Sequence, residues 1–229
     1  HVDFSSEMER TLQVLDYAIL VISARDGVQG HTETLWKLLK RYKVPTFIFV
    51  NKMDMPDTNR VTLLNELRLR LSDNCIDFTV DESGEEFIEE VAMCDEALLD
   101  KYIERGKVGT GDIASIIKKR KVFPCYFGSA LKLDGVDKFL GGIEKYTKKP
   151  KPIKQFGAKV FKITRDDEGN RLTFLKITGG NLKVKTPISN GKSGLEDNGD
   201  IWEEKVDQIR IYSGSKYEGV DEVKAGQVC

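Results

Sequence analysis

Histidine is nearly absent from this chain, with two residues in 229. Its four cysteines, Cys75, Cys94, Cys125 and Cys229, stand singly, with no Cys-x-x-Cys spacing. So few soft ligands argue against a zinc site, and the scattered thiols argue equally against a disulfide framework. Isolated thiols and the lack of a secretory signal point to a reducing cytoplasm. No apolar run approaches the roughly 18 residues that a membrane helix needs, so no membrane partner is expected. An excess of one charge is missing too: 36 Lys and Arg face 37 Asp and Glu, for a net charge of −1. The molecule therefore has no global attraction to nucleic acid, and any RNA contact must use local patches. An initiating methionine is also lacking. The chain begins His1-Val2-Asp3-Phe4 and ends Val228-Cys229 directly after strand-like sequence, so both ends are expected to be interruptions of a longer protein.

What is present suits a soluble fold. Hydrophobic residues make up 40% and charged residues 32%, and the length allows one large domain or two ordinary ones. From residue 1 to about 150, helical periodicity alternates with short apolar runs. Helices are expected over Ser5–Leu15, His31–Lys43, Asn59–Ser72, Glu85–Glu104, Gly111–Lys121 and Gly135–Lys148. In the second of these, Leu35, Leu38, Leu39 and Tyr42 recur at the spacing of one helix face. Between them lie Tyr17–Ser23, Thr46–Val50 and Val122–Phe127. Continuous apolar runs of this length, flanked by helices, suit strands buried on both faces of a mainly parallel sheet with helices on both sides. Ligands of such sheets usually sit beyond the carboxyl ends of the strands, so the residues after each run are the place to look for chemistry.

The pattern changes after Lys148-Lys149-Pro150-Lys151-Pro152, which cannot continue a helix. Strands are expected at Gly157–Thr164 and Arg171–Thr178, joined by the turn Arg165–Asn170. Others are expected at Leu182–Ile188, Glu204–Tyr212 and Glu222–Cys229. This half reads as an antiparallel β-barrel that lacks its final strands.

Two loops carry the candidate site. Directly after Thr46–Val50 stands Asn51-Lys52-Met53-Asp54. At a strand end, Asp54 can accept two hydrogen bonds from the ring N–H and exocyclic amine of guanine, a pair that adenine cannot offer. The stem of Lys52 can cover one face of the ring, and the Asn51 amide can bond the base and tie neighbouring loops together. The second loop, Gly128-Ser129-Ala130 with Leu131 next in the chain, follows Val122–Phe127. Its small residues let backbone N–H groups approach a purine oxygen closely. Each loop also has a plainer reading, as a polar strand end or a serine-capped loop before a helix. Their pairing, in this order after two buried strands, is what favours a guanine site.

The residues then resemble one family. His1-Val2-Asp3-Phe4, Glu7-Met8-Glu9-Arg10 and Val14-Leu15-Asp16 resemble the segment that follows Asp-Thr-Pro-Gly in elongation factor G and related translational GTPases. Gly27-Val28-Gln29 and Thr32-Glu33-Thr34-Leu35-Trp36 continue the likeness as far as Asn51–Asp54. In the second half, Gly169–Phe174, Lys205–Arg210, Gly214–Tyr217 and Ala225–Val228 resemble that family's second domain. Only about seventy residues separate Asp54 from Gly128, and Asp95–Tyr102 together with Val122–Ala130 look most like the tetracycline-resistance ribosomal protection proteins.

The resemblance implies an α/β fold: the C-terminal part of a phosphate-loop-type GTPase domain over 1–150, then an incomplete second-domain barrel over 151–229. It implies GTP or GDP and Mg2+ as ligands of the longer protein, the ribosome (RNA and protein) as partner, a monomeric cytoplasmic chain, and guanine contacts from Asn51, Lys52, Asp54, Ser129, Ala130 and Leu131. It also gives His1 the role of placing the attacking water on the terminal phosphate. The sequence has no Gly-x4-Gly-Lys-[Ser/Thr] motif to cradle phosphates. Gly191-Lys192-Ser193 is the nearest match, but Thr186 stands where the first glycine belongs, and it is expected to be a polar hairpin tip. A first switch segment is missing as well. The chain alone is thus expected to bind nucleotide weakly and not to hydrolyse it. A module that docks on RNA or protein without hydrolysis is the alternative. The basic runs Lys118–Lys121 and Lys145–Lys154 fit either solvated helix ends or RNA contacts.

Overall fold

The structure is a computed structural model describing residues 5–148, 153–189 and 203–229. His1 and Gly191-Lys192-Ser193 lie outside them. The described residues fall into two compact units, one of 15–148 and the other of 5–14 with 153–189 and 203–229. The first helix, α1 (Ser5–Leu12), thus groups with the strand-rich second half and not with the sheet that follows it in sequence.

The unit from Leu15 onward is α/β. Its strands are β1 (Ala18–Ser23), β2 (Thr46–Asn51), β3 (Cys75–Asp77) and β4 (Phe123–Phe127). They form one sheet in the order β1-β2-β4-β3, and every pairing is parallel. Between them run α2 (Gly30–Arg41), α3 (Arg60–Arg70), α4 (Glu85–Ala92), α5 (Glu96–Arg105) and α6 (Thr110–Lys118), with α7 (Val136–Tyr146) after β4.

Alternation along the strands divides the helices between two faces. Phe47, Phe49, Ile76, Phe78 and Tyr126 pack with Phe87, Val91, Leu98, Ile113, Ile117 and Phe139 from α4 to α7. Phe78 is the centre of this core, with its ring 4.9 Å from Phe87, 5.5 Å from Tyr146 and 6.0 Å from Tyr126. The opposite face takes α2 and α3. Trp36 of α2 sits edge-on to Phe123 at 4.6 Å and donates its indole N–H to the Leu71 carbonyl. Arg68 of α3 donates to the Cys75 carbonyl. Helices on both faces are the arrangement that continuous apolar runs require.

Local chemistry explains where the helices begin and end. Asn59 caps α3 by accepting from Thr62 N at 3.0 Å. The expected single helix over Glu85–Glu104 is two, because Asp95 adopts an extended backbone and caps α5 by accepting from Leu98 N at 3.2 Å. Aspartate favours a cap over a helix interior since its short carboxylate reaches the unsatisfied N–H groups of a first turn. Gly106 then closes α5 in the left-handed conformation. Strand β3 was not apparent in the sequence: three residues are too few to show a period.

In the second unit every named pairing is antiparallel. β5 (Gly157–Arg165) pairs with β6 (Arg171–Gly179), β7 (Asn181–Lys183) with β12 (Glu222–Lys224), β8 (Pro187–Ser189) with β9 (Glu203–Lys205), and β10 (Ile209–Ser213) with β11 (Lys216–Val220). Leu175, Ile177, Leu182, Ile209 and Val223 form its own core, so this is a partial antiparallel barrel that follows the parallel sheet. Two expected strands, Leu182–Ile188 and Glu204–Tyr212, are each broken in two. In the first, Lys185 takes a left-handed backbone (φ 65°) and turns the chain between β7 and β8.

One glycine of the first unit is required by packing. A Cβ at Gly142 would fall on the Tyr126 hydroxyl, which is itself buried without a hydrogen-bond partner. Gly142→Ala is therefore expected to lower stability by about 1–3 kcal/mol, the usual range for overpacking. Chemical denaturation of the two proteins measures it, and an unchanged midpoint would refute the close packing.

Candidate functional site

The parallel pairing of β2 with β4 sets Ile48 beside Cys125, Phe49 beside Tyr126 and Val50 beside Phe127. Their carboxyl ends are therefore adjacent, and so are the loops that leave them. Gly128 N donates to the Val50 carbonyl at 3.0 Å, and Met53 N donates to the Gly128 carbonyl at 3.1 Å. Two strands more than seventy residues apart in sequence become one rim.

Asn51 joins the loops more tightly. Its Oδ1 accepts from Lys52 N at 2.8 Å and from Ala130 N at 2.9 Å. One side chain thus fixes the backbone of both segments. Lys52 takes a left-handed backbone, φ 67°, unusual for a residue with a long side chain. The bond from its N–H to Asn51 Oδ1 compensates part of that cost. Further along, the Thr58 hydroxyl donates to the Met53 and Met55 carbonyls at 3.0 and 2.9 Å, which closes the loop back on itself before α3.

The second loop is a small closed turn. Ser129 N donates to the Asp134 carbonyl at 2.9 Å and Asp134 N returns a bond to the Ser129 carbonyl at 3.0 Å. A Cβ at Gly128 would collide with the Asp134 carbonyl, so only glycine permits this approach. Ser129 is buried, and its hydroxyl has no hydrogen-bond partner of ordinary geometry. It nevertheless faces Asp54 closely enough to be the main cause that holds the Asp54 carboxyl below the usual carboxylate range, with Lys132 acting in the same direction. The Lys132 ammonium stands 3.5 Å from Asp54 Oδ2.

Asn51, Lys52, Asp54, Ser129 and Ala130 are thereby gathered beyond the carboxyl ends of the two central strands. Leu131 follows them in the second loop, 91% exposed and open to solvent. Three residues join the rim that the motifs did not single out. Lys132 is the counter-ion of Asp54, Asp134 closes the second loop, and Ser23 ends β1 beside Asn51 with a buried, unpartnered hydroxyl. Ser23 is the last residue of the first apolar run, so the rule that directs attention to strand ends points to it as well.

The arrangement suits a planar, donor-rich ligand. A carboxylate held ionised accepts paired N–H donors, an orphaned buried hydroxyl lacks a partner of its own, and small residues leave room for a ring edge. Among the described residues no group of three His, Cys, Asp or Glu side chains has the geometry to hold a metal ion. No helix of the described residues is long and apolar enough to cross a membrane.

Comparison with known proteins places this chain in a family. Residues 1–149 match the model of the elongation factor Tu GTP binding domain. The chain is similar to elongation factor G of Mycoplasma pneumoniae, 27% identical over a 296-residue alignment that covers all of this chain and 42% of that protein. A crystal structure of a protein from Thermus thermophilus, 22% identical, superposes over the whole chain with a TM-score of 0.76 and is covered to 40% of its length, a likeness of fold. The chain thus spans about two-fifths of the length of these relatives. With the family match extending over 149 of its 229 residues, the chain belongs to the family of the elongation factor Tu GTP binding domain, the translational GTPases.

Proposed function

We propose that the chain is the guanine-reading half of a ribosome-dependent GTPase of the elongation factor G type, joined to a barrel that docks on the ribosome. The observation that carries the reading is the Asn51 side chain, which accepts from Ala130 N and so holds both base-reading loops on one rim. Asp54 accepts the guanine N–H pair, the Lys52 stem lies along the ring, and backbone N–H groups of Ser129, Ala130 and Leu131 approach the base oxygen. Base contacts of this kind select guanine over adenine because an acceptor that the bound ring takes out of water and leaves unpaired is costly.

In the longer protein, GTP with Mg2+ supplies the phosphoryl group, and upstream residues cradle the phosphates and hold the metal. His1 positions the attacking water, a role that rests on its match to the family. The domain boundary of this reading falls at 150, with the GTP-binding part over 1–150 and the barrel over 151–229. The length between Asp54 and Gly128 and the sequence Val122–Ala130 favour a ribosomal protection subtype. The protein works in the cytoplasm as a monomer. A non-hydrolysing module that docks on RNA or protein is the second reading, favoured by basic runs such as Lys118–Lys121.

Three measurements test these statements. Asn51→Ala removes the acceptor that links the loops and is expected to cost about 1–2 kcal/mol, with faster hydrogen exchange at residues 129–134. Unchanged exchange there would exclude the linking role. Asp54→Asn in the longer protein is expected to shift preference from guanine toward xanthine, read by competition between GTP and XTP, and an unaltered preference removes Asp54 from the base site. Titration of the 229-residue chain with a fluorescent GDP analogue is expected to show binding weaker than about micromolar, since phosphate contacts usually supply much of the affinity. Tighter binding would contradict the division of labour.

A further inference from the structure

Helices α2 and α6 lie on opposite faces of the sheet, yet both end at the same pole. α2 leads into β2 and α6 into β4, and these strands are parallel neighbours. The two helices close in the same way. Lys43 N donates to the Lys40 carbonyl and Val44 N to the Leu39 carbonyl, while Arg120 N donates to the Ile117 carbonyl and Lys121 N to the Ile116 carbonyl. The residue that turns the chain is left-handed in both, Lys43 at φ 54° and Arg120 at φ 59°, where glycine is the usual choice.

Arg120 has a structural use for that conformation. Its guanidinium lies over the Trp36 and Phe123 rings, 5.1 and 4.9 Å from their centroids, and donates to the Val44 carbonyl and to the Thr46 hydroxyl, the latter at 3.1 Å. It thereby ties the end of α6 to the start of β2 and sets two basic runs, more than seventy residues apart in sequence, side by side. Lys43 has no such use. It is exposed, and its side chain makes no hydrogen bond or ion pair among the described residues. A strained backbone that carries an unengaged cation calls for a use outside the fold.

Lys40, Lys118, Lys119 and Lys121 are exposed at the same pole. Cations in the last turn of a helix offset its dipole, which accounts for Lys40 and Lys118 but not for Lys43 and Lys121 beyond the helix ends. Asp16 and Asp73 stand before the outer strands β1 and β3, so the centre of the pole is basic in a chain whose net charge is −1. Among the described residues, no large apolar side chain is exposed within 37–46 or 116–124. Protein interfaces are centred on such anchors and are poor in lysine. A group of exposed ammonium groups without anchors suits a phosphate backbone instead.

We infer that this pole, with Lys40, Lys43, Lys118, Lys119 and Lys121, is a docking surface for the phosphate backbone of RNA. Lysines act there as point charges, and contacts to phosphate set position without reading sequence. The candidate base loops leave the carboxyl ends of the same two strands, so the RNA surface and the nucleotide rim do not compete for space. The surface lies wholly in the α/β unit and is separate from the ribosome docking given to the barrel. It depends neither on that assignment nor on the guanine reading.

The test is fluorescence anisotropy of the 229-residue chain with a labelled RNA duplex of about 20 base pairs, repeated over a range of salt. The unmutated chain is expected to bind with an affinity that falls steeply as salt rises. Lys43→Gly combined with Lys121→Gln removes two charges, and glycine suits the left-handed backbone at 43, so the fold is preserved. That variant is expected to bind about tenfold more weakly at about 100 mM salt, with the slope of log K against log salt reduced by about 2. Lys107→Gln, at an exposed lysine before the opposite end of α6, is expected to change affinity by less than about twofold. The surface is overturned by an unmutated chain that does not bind the duplex at about 50 mM salt, by an unchanged slope in the double variant, or by an equal loss in Lys107→Gln. Displacement of the RNA by an oligoglutamate peptide of equal charge also overturns it and assigns the pole to an acidic protein. If the longer protein hydrolyses no GTP, the proposed function falls and the RNA result still decides the surface.

Discussion

The parallel pairing of β2 with β4 is the constraint on which the rest of the α/β unit depends. These strands are separated by more than seventy residues of chain, and only their hydrogen-bonded register puts Asn51 within reach of Ala130. Parallel strands need a long crossover between them, and α3, β3, α4, α5 and α6 make up that crossover. Their apolar faces then bury the core around Phe78 and Tyr126. Loops that leave two paired strand ends are anchored by the sheet beneath them, which suits a ligand recognised by a few well-directed hydrogen bonds.

The site combines a satisfied frame with unsatisfied contacts. Asn51, Met53, Gly128 and Asp134 spend their polar groups on holding the loops in place. By contrast, Ser23 keeps a buried hydroxyl without a partner at the same rim, and Asp54 is met only by the Ser129 side chain and a stretched contact with Lys132. Buried polar groups are normally paired, so this uneven distribution marks where an outside ligand can make up the difference. The barrel unit shows the opposite balance: its buried Lys176 is matched to a carbonyl within the same unit, a sign of structural docking and not of a vacant site.

Much of the architecture was legible because strongly periodic segments leave few choices. The runs Thr46–Val50 and Val122–Phe127 are uniformly apolar, and each became a strand buried at nearly every position. The turn Arg165–Asn170 joins a hairpin as its Asp, Gly and Asn content implied. Where the structure departs from the sequence pattern, one short-range feature outweighs a longer one. Asp95 broke a continuous helical period by capping α5, and Lys185 turned a strand by adopting a left-handed backbone. Strands β3 and β11 were not foreseen because β3 is three residues long and β11 is Lys-Tyr-Glu-Gly-Val, largely exposed. Their pairing is decided by the neighbouring strand and not by their own composition.

Sequence by itself determined the fold class, the order of the long periodic elements and which two loops to examine, since these follow from local period, turn chemistry and the residues that end each apolar run. Tertiary structure alone decided what lies beside what. It made Lys132 the counter-ion of Asp54, brought Ser23 to the rim with its hydroxyl unpartnered, set the Ser129 side chain against Asp54, and assigned α1 to the barrel unit, where Lys159 and Lys176 meet the chain after it. The physical reason is that nearly all of these are contacts between residues far apart in the chain. Such a contact depends on sheet register and on which face a strand buries, and neither is encoded in any single stretch of sequence.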